Sequence, residues 1–136
     1  MRATMTGLLL LALFAAPPAG AAEPVSPSAF RDWAEGHTLH FERAGEAFGS
    51  EAFREGGAVT WRFPDGSCVD GLWRPHSGQL CFVYEGMPEV QCWRVLRDGD
   101  GFFARRLGDG PDAGMELRIA RRDSRPLLCG APGLGL

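Results

Sequence analysis

From position 58 onward the chain alternates apolar and polar residues in short bursts. "AVTWRF" (58–63), "SCVDGLW" (67–73), "QLCFVYE" (79–85), "VQCWRVL" (90–96), "GFFARRL" (101–107) and "MELRIARR" (115–122) are rich in β-branched and aromatic residues, and Gly, Pro or Asp clusters divide them. A period of two bounded by turn residues predicts half-buried strands. "HTLHF" (37–41) reads as an earlier strand, and the Gly-rich stretch from Gly45 to Gly57 reads as a connection. Upstream, Ser26-Pro27 has the form of an N-cap followed by Pro at the first helical position, with Gly36 as the stop. Phe30, Trp33 and Ala34 give the short helix one apolar stripe. The expected fold is mainly β, an antiparallel up-and-down meander forming a small barrel or half-barrel, with one short N-terminal helix and two disulfides.

The turns predict register. Pro64-Asp65-Gly66 suits a three-residue hairpin loop with Gly in the left-handed position, which sets Trp61 opposite Val69 and Val59 opposite Gly71. A four-residue loop over Pro75–Gly78 would pair Trp73 with Leu80. A two-residue turn at Gly86-Met87 would pair Val83 with Val90 and Cys81 with Cys92. Because side chains alternate along a strand, one face collects Val59, Trp61, Phe63, Val69, Trp73, Leu80, Phe82, Tyr84 and Trp93. Thr60, Arg62, Cys68, Asp70, Leu72, Cys81, Val83, Val90, Cys92 and Arg94 take the other. The three Trp-Arg dipeptides (Trp61-Arg62, Trp73-Arg74, Trp93-Arg94) are therefore read as architecture, indole inward and guanidinium outward.

Four cysteines allow three pairings. The register places Cys81 directly across from Cys92. Cys68 falls about four residues along its partner strand from Cys81, too far to bridge at roughly 3.3 Å per residue. The expected bonds are Cys81–Cys92 and Cys68–Cys129.

The amino terminus changes the picture of where the domain begins. Arg2, the apolar run Leu8 to Ala16 and the small residues Ala19-Gly20-Ala21-Ala22 have the form of a cleavable signal peptide over 1–22. Of 136 residues this leaves 114, one β domain over 23–129 and a Gly/Pro-rich tail over 130–136. Export to the periplasm agrees with an even cysteine count and no C-x-x-C spacing. No membrane insertion is expected after cleavage, and a monomer is expected. All basic residues are Arg, and the net charge of −3 argues against general nucleic-acid affinity. Arg105, Arg106, Arg118, Arg121, Arg122 and Arg125 gather late in the chain; a solvated face neutralised by pairing explains them, with a polyanion patch as the minor reading.

The search for chemistry finds no catalytic set. Asp98 and Asp100 resemble the start of a calcium loop, but Phe102 and Asp109 stand where further ligands belong, and an Asp-Gly hairpin turn accounts for them. His37, His40 and His76 lack metal-ligand spacing, and Ser50, Ser67 and Ser77 lack a nucleophile elbow. Glu51 and Glu55 read as surface charges in the absence of a cleft. Neither enzyme activity, metal nor cofactor is expected. Gly71-Leu72-Trp73 spells the G-x-W of lipocalins, but mid-chain rather than on a first strand, and no function is carried over from it.

Gly66, Cys68, Gly71 and Trp73, then Cys81, Phe82, Tyr84 and Glu85, then Cys92 and Trp93 form a pattern that resembles small exported alphaproteobacterial proteins of a DUF995-like family of unknown function. The likeness runs from Phe30 to Cys129. It implies a periplasmic, disulfide-stapled β fold and carries no activity.

Two functional readings follow. The first is a non-enzymatic periplasmic protein holding a small apolar ligand against Trp61, Trp73, Phe82, Tyr84 and Trp93, which requires a cavity beside the tryptophans. The alternative is a proteinaceous inhibitor or envelope partner that acts on a periplasmic protein through an exposed loop, His76-Ser77 or Met87-Pro88, over a packed interior.

Overall fold

The computed structural model describes residues 11–15 and 21–130. A two-residue strand β1 (Glu23–Pro24) leads into helix α1 (Pro27–Ala34). Eight strands follow: β2 (Thr38–Arg43), β3 (Glu46–Phe53), β4 (Ala58–Arg62), β5 (Cys68–His76), β6 (Gln79–Tyr84), β7 (Gln91–Asp98), β8 (Gly101–Arg106) and β9 (Glu116–Asp123). Each pairs antiparallel with its sequence neighbour, and β9 returns to β2, so β2–β9 close into an eight-stranded barrel. Closure removes the exposed edges that a half-barrel would leave. β1 extends the ladder beyond β6 by pairing with Leu96 and Arg97 of β7.

The helix forms where its caps stand. The Ser26 side chain accepts the Ala29 N–H at 3.2 Å, Pro27 occupies the first turn, and Gly36 follows with φ +80°. α1 lies across one end of the barrel. There Phe30 meets Phe53 and Trp73 edge-on, with ring centroids 5.4 and 6.0 Å away. Trp33 packs on Phe102 at 4.8 Å, and Arg122 from β9 donates to the Trp33 carbonyl at 2.9 Å. Phe30, Ala34, Leu39, Phe53, Val59, Trp73 and Leu80 are buried in the core at this end.

The opposite end is held differently. After β9 the chain runs back along the outside of the barrel. Thr38 Oγ1 donates to the Arg125 carbonyl, Arg62 Nε to that of Leu128, and the Gly130 N–H to that of Gly66. The strap ends in the Cys68–Cys129 disulfide; Cys81–Cys92 crosses β6 and β7. Two disulfides belong to an oxidising compartment, and no helix among the described residues is long and apolar enough to cross a membrane.

The expected register holds at the Pro64-Asp65-Gly66 loop, where Trp61 faces Val69 and Val59 faces Gly71, and at the Cys81–Cys92 pair. Three expectations need correction. The β5–β6 loop is not four residues long but a two-residue turn, Ser77-Gly78, with φ of +48° and +74°; Trp73 consequently faces Phe82, and Pro75 faces Leu80. Two positive-φ centres make a turn whose twist matches that of the flanking strands. The β6–β7 ladder stops at Phe82–Gln91, so Val83 and Val90 do not pair. Finally, the stretch read as a connection contains an entire strand, β3, joined to β2 through the tight turn Ala44-Gly45. The expected signal peptide falls mostly on residues 1–10 and 16–20, which lie outside the described residues, as do residues 131–136 of the expected tail.

Candidate functional site

Inside the barrel, at the end away from α1, lies a cavity of about 330 Å³. Its floor is apolar: Phe30, Phe53, Leu80, Phe82, Val95, Ala104 and Leu117. Its middle is walled by Trp61, Tyr84, Trp93 and Glu51, and its mouth by Phe63, Pro64, Met87, Glu89, Arg106 and Asp112. Pro64, Glu89 and Asp112 belong to exposed connections, so the mouth opens to solvent there. Four of the five expected ligand-facing residues, Trp61, Phe82, Tyr84 and Trp93, thus come together on one lining. The fifth does not. Trp73 is 3 % exposed and packed beneath α1, with the Arg31 guanidinium 4.7 Å from its ring centre, and it is not part of the cavity wall.

Two glycines shape the space. A β-carbon on Gly49 of β3 would stand 2.2 Å from the Trp61 indole, and one on Gly71 of β5 would stand 2.7 Å from the Tyr84 ring. Both positions therefore let a large ring from the neighbouring strand approach the glycine backbone closely. Phe41, Phe48 and Phe63 surround Trp61, with centroids 5.6, 6.0 and 6.4 Å away. Phe48 reaches the lining because β2 and β3 slip register between Phe41 and Glu42, which leaves Phe48 at the bulge.

Glu51 corrects the reading of a surface charge. It lies opposite Leu39 and Trp61 in the ladders, points inward, and is 4 % exposed. The Tyr84 hydroxyl donates to its carboxyl, 3.0 Å from each oxygen. Burial pushes the Glu51 carboxyl up to about 8, with the Tyr84 hydrogen bond pulling the other way. Tyr84 is itself held above the ordinary phenol range by burial, then by the Glu51 charge and hydrogen bond, against the pull of Arg106. Arg106 corrects a second reading. By alternation with Ala104 it points inward rather than joining a solvated face, with a side chain only 12 % exposed. Its guanidinium stands 5.5 Å over the Trp93 ring and 3.8 Å from Glu89. By contrast, Arg105 pairs with Glu116 at 2.7 Å, and Arg121 lies 3.4 Å from Asp123, as expected for surface charges.

The histidines lie elsewhere. His40, on the outside of β2, bonds Ser50 Oγ at 2.8 Å and Asp123 at 2.9 Å, while His76 is exposed at the end of β5. Asp98 and Gly101 pair across the hairpin turn that was expected there. Among the described residues no group of three or more His, Cys, Asp or Glu is placed to hold a metal ion. The arrangement is suited to enclosing one small molecule, with a protonatable carboxyl, a phenol and a guanidinium in an otherwise mostly apolar wall.

No protein-family model, curated protein or solved structure matches this chain.

Proposed function

We propose that this is an exported, non-enzymatic binding protein of the periplasm that holds one small, largely apolar molecule inside its barrel. The observation that carries the reading is the cavity of about 330 Å³ beside Trp61 and Trp93, open at one end and sealed by α1 at the other. That volume lies at the lower end of the roughly 300–1,000 Å³ found for small-molecule sites, and a mostly apolar wall with few polar groups is their usual composition. The two disulfides and the signal-like amino terminus support export. The loop-acting inhibitor requires a packed interior, so the cavity counts against it, although His76 and Ser77 are exposed as that reading requires.

Native mass spectrometry of the protein purified from periplasm without denaturation tests this. A reproducible mass above the mature, twice-oxidised chain is expected. A bare chain, with no fluorescence change at Trp61 or Trp93 on addition of periplasmic small-molecule extract, would move attention to the loops.

A further inference from the structure

A purely apolar ligand leaves two features of the cavity without a purpose. The first is the Glu51 carboxyl. It has acceptor capacity for about four hydrogen bonds when ionised, yet the only side-chain donor it has among the described residues is the Tyr84 hydroxyl, and no basic side chain there forms an ion pair with it. A glutamate buried this deeply is ordinarily paired or replaced by an apolar residue. The second is the charge of the lining as a whole. Glu51, Glu89 and Asp112 face the space against one cation, Arg106, which already rests on the Trp93 ring and beside Glu89. The middle of the wall, beside Glu51, is aromatic (Trp61, Tyr84 and Trp93), and aromatic faces attract cations.

We propose that the ligand is an organic cation, a compact protonated amine with an apolar body, whose ammonium donates to the Glu51 carboxyl among the rings of Trp61 and Tyr84 while its body lies on the floor formed by Leu80, Phe82 and Leu117. The proposal rests on the binding reading above and narrows it to one chemical class. An anionic ligand would have to displace Glu89 from Arg106 and approach Glu51 and Asp112. A neutral ligand would leave the excess of carboxyl groups over cations in the lining uncompensated.

The mechanism carries a pH signature. In the empty barrel Glu51 keeps its proton up to about 8, so at neutral pH an incoming ammonium must expel that proton. Tyr84 from β6, Arg106 from β8 and the rim carboxylates Glu89 and Asp112 are the other ionisable groups facing the space. Amine affinity should therefore climb with pH and level off near 8, with proton uptake by the buffer on binding; the affinity of a neutral analogue should not follow that curve.

The test compares three probes of one shape, phenethylamine, phenethyl alcohol and hydrocinnamate, by titration calorimetry on the mature disulfide-bonded protein. Phenethylamine is expected to bind at least about tenfold more tightly than either analogue, as a hydrogen bond to a charged group requires. The Glu51→Gln variant is expected to lose that preference while still binding the alcohol. If the alcohol or hydrocinnamate binds as well as the amine, or if Glu51→Gln keeps the preference, the amine proposal fails and the cavity remains a binding site for another class. If none of the three binds and the native mass is that of the bare chain, both readings fall together. The pH curve on the unaltered protein decides the matter even if Glu51→Gln does not fold.

Discussion

The two ends of the barrel are built from the same kind of strand and come out differently. At the α1 end, Trp73 sits between Phe30 and Phe82 and is 3 % exposed. At the other end, Trp61 is flanked by comparable rings and Trp93 by the Arg106 guanidinium, yet both stand partly exposed on the wall of a cavity. All three belong to Trp-Arg pairs with the indole inward. What separates them is the presence of a lid. α1 fills one mouth with Phe30 and Ala34, whereas the other mouth has only turns around it, and its rim is secured from outside by the strap and the Cys68–Cys129 bond. One end is held by packing and the other by covalent closure, which leaves the second end free to enclose something.

That contrast can be broken from either side. The largest effect is expected from Trp73→Ala, a core truncation costing about 3–5 kcal/mol, read from chemical denaturation; Trp61→Ala, which borders existing space, should cost clearly less and enlarge the cavity. Equal losses at the two positions would mean that the open end is packed after all. Next is the staple. Replacing Cys68 and Cys129 together by Ser opens a loop of 61 residues, worth about 4 kcal/mol in the loop-entropy account, against about 3 kcal/mol for the 11-residue loop of Cys81–Cys92. Denaturant midpoints of the two double variants check that order.

Glu51 supplies a third test, with a definite sign. The unfolded chain releases the Glu51 proton near 4.5 and the folded chain near 8. Its contribution to stability is therefore fully present below about 4.5, declines as pH rises toward 8, and is flat above. The slope is about 1.4 kcal/mol per pH unit, for a loss on the order of 3 kcal/mol by neutral pH. Glu51→Gln should remove that slope and leave the empty protein more stable than wild type at neutral pH, as denaturation series at several pH values would show. A wild-type curve that does not fall through this window would mean that Glu51 is solvated. The smallest effect belongs to the outward half of the Trp-Arg pairs: Arg94→Ala, at an exposed position, should change stability by no more than about 0.5 kcal/mol.

Much of this was legible in the residues, and the gaps have identifiable causes. The helix showed itself through its caps. The hairpins of β4–β5 and β6–β7 showed themselves through turn chemistry and cross-strand cysteines. β3 did not, because "EAFGSEAF" alternates poorly, contains Gly49, and lies between glycines at 45 and 56–57. A signal was nevertheless present. Without β3 only seven strands remain, and an odd number of up-and-down strands cannot close antiparallel; nor does a small domain usually tolerate so long an unstructured connection. Missing β3 meant missing Glu51, the one acid the barrel buries. Arg106 was misread for a related reason. Its neighbour Arg105 points outward to Glu116, and only the alternation through Ala104 tells the two apart.

The sequence by itself determined which way each residue points from β4 to the start of β7. The two-residue error in the Ser77-Gly78 turn shows why: it changed the partner of Trp73 from Leu80 to Phe82 without moving any side chain to the other face, because only a slip of an odd number of residues does that. The disulfide pairing followed from the register that the turns set. Tertiary structure alone decided how deep along the barrel axis each inward residue lies, and so which tryptophan is sealed and which borders the cavity. Alternation is set between neighbours in the chain. Depth depends on the stagger of eight strands, the return of β9 to β2 and the seating of α1, and these contacts join residues far apart in the sequence.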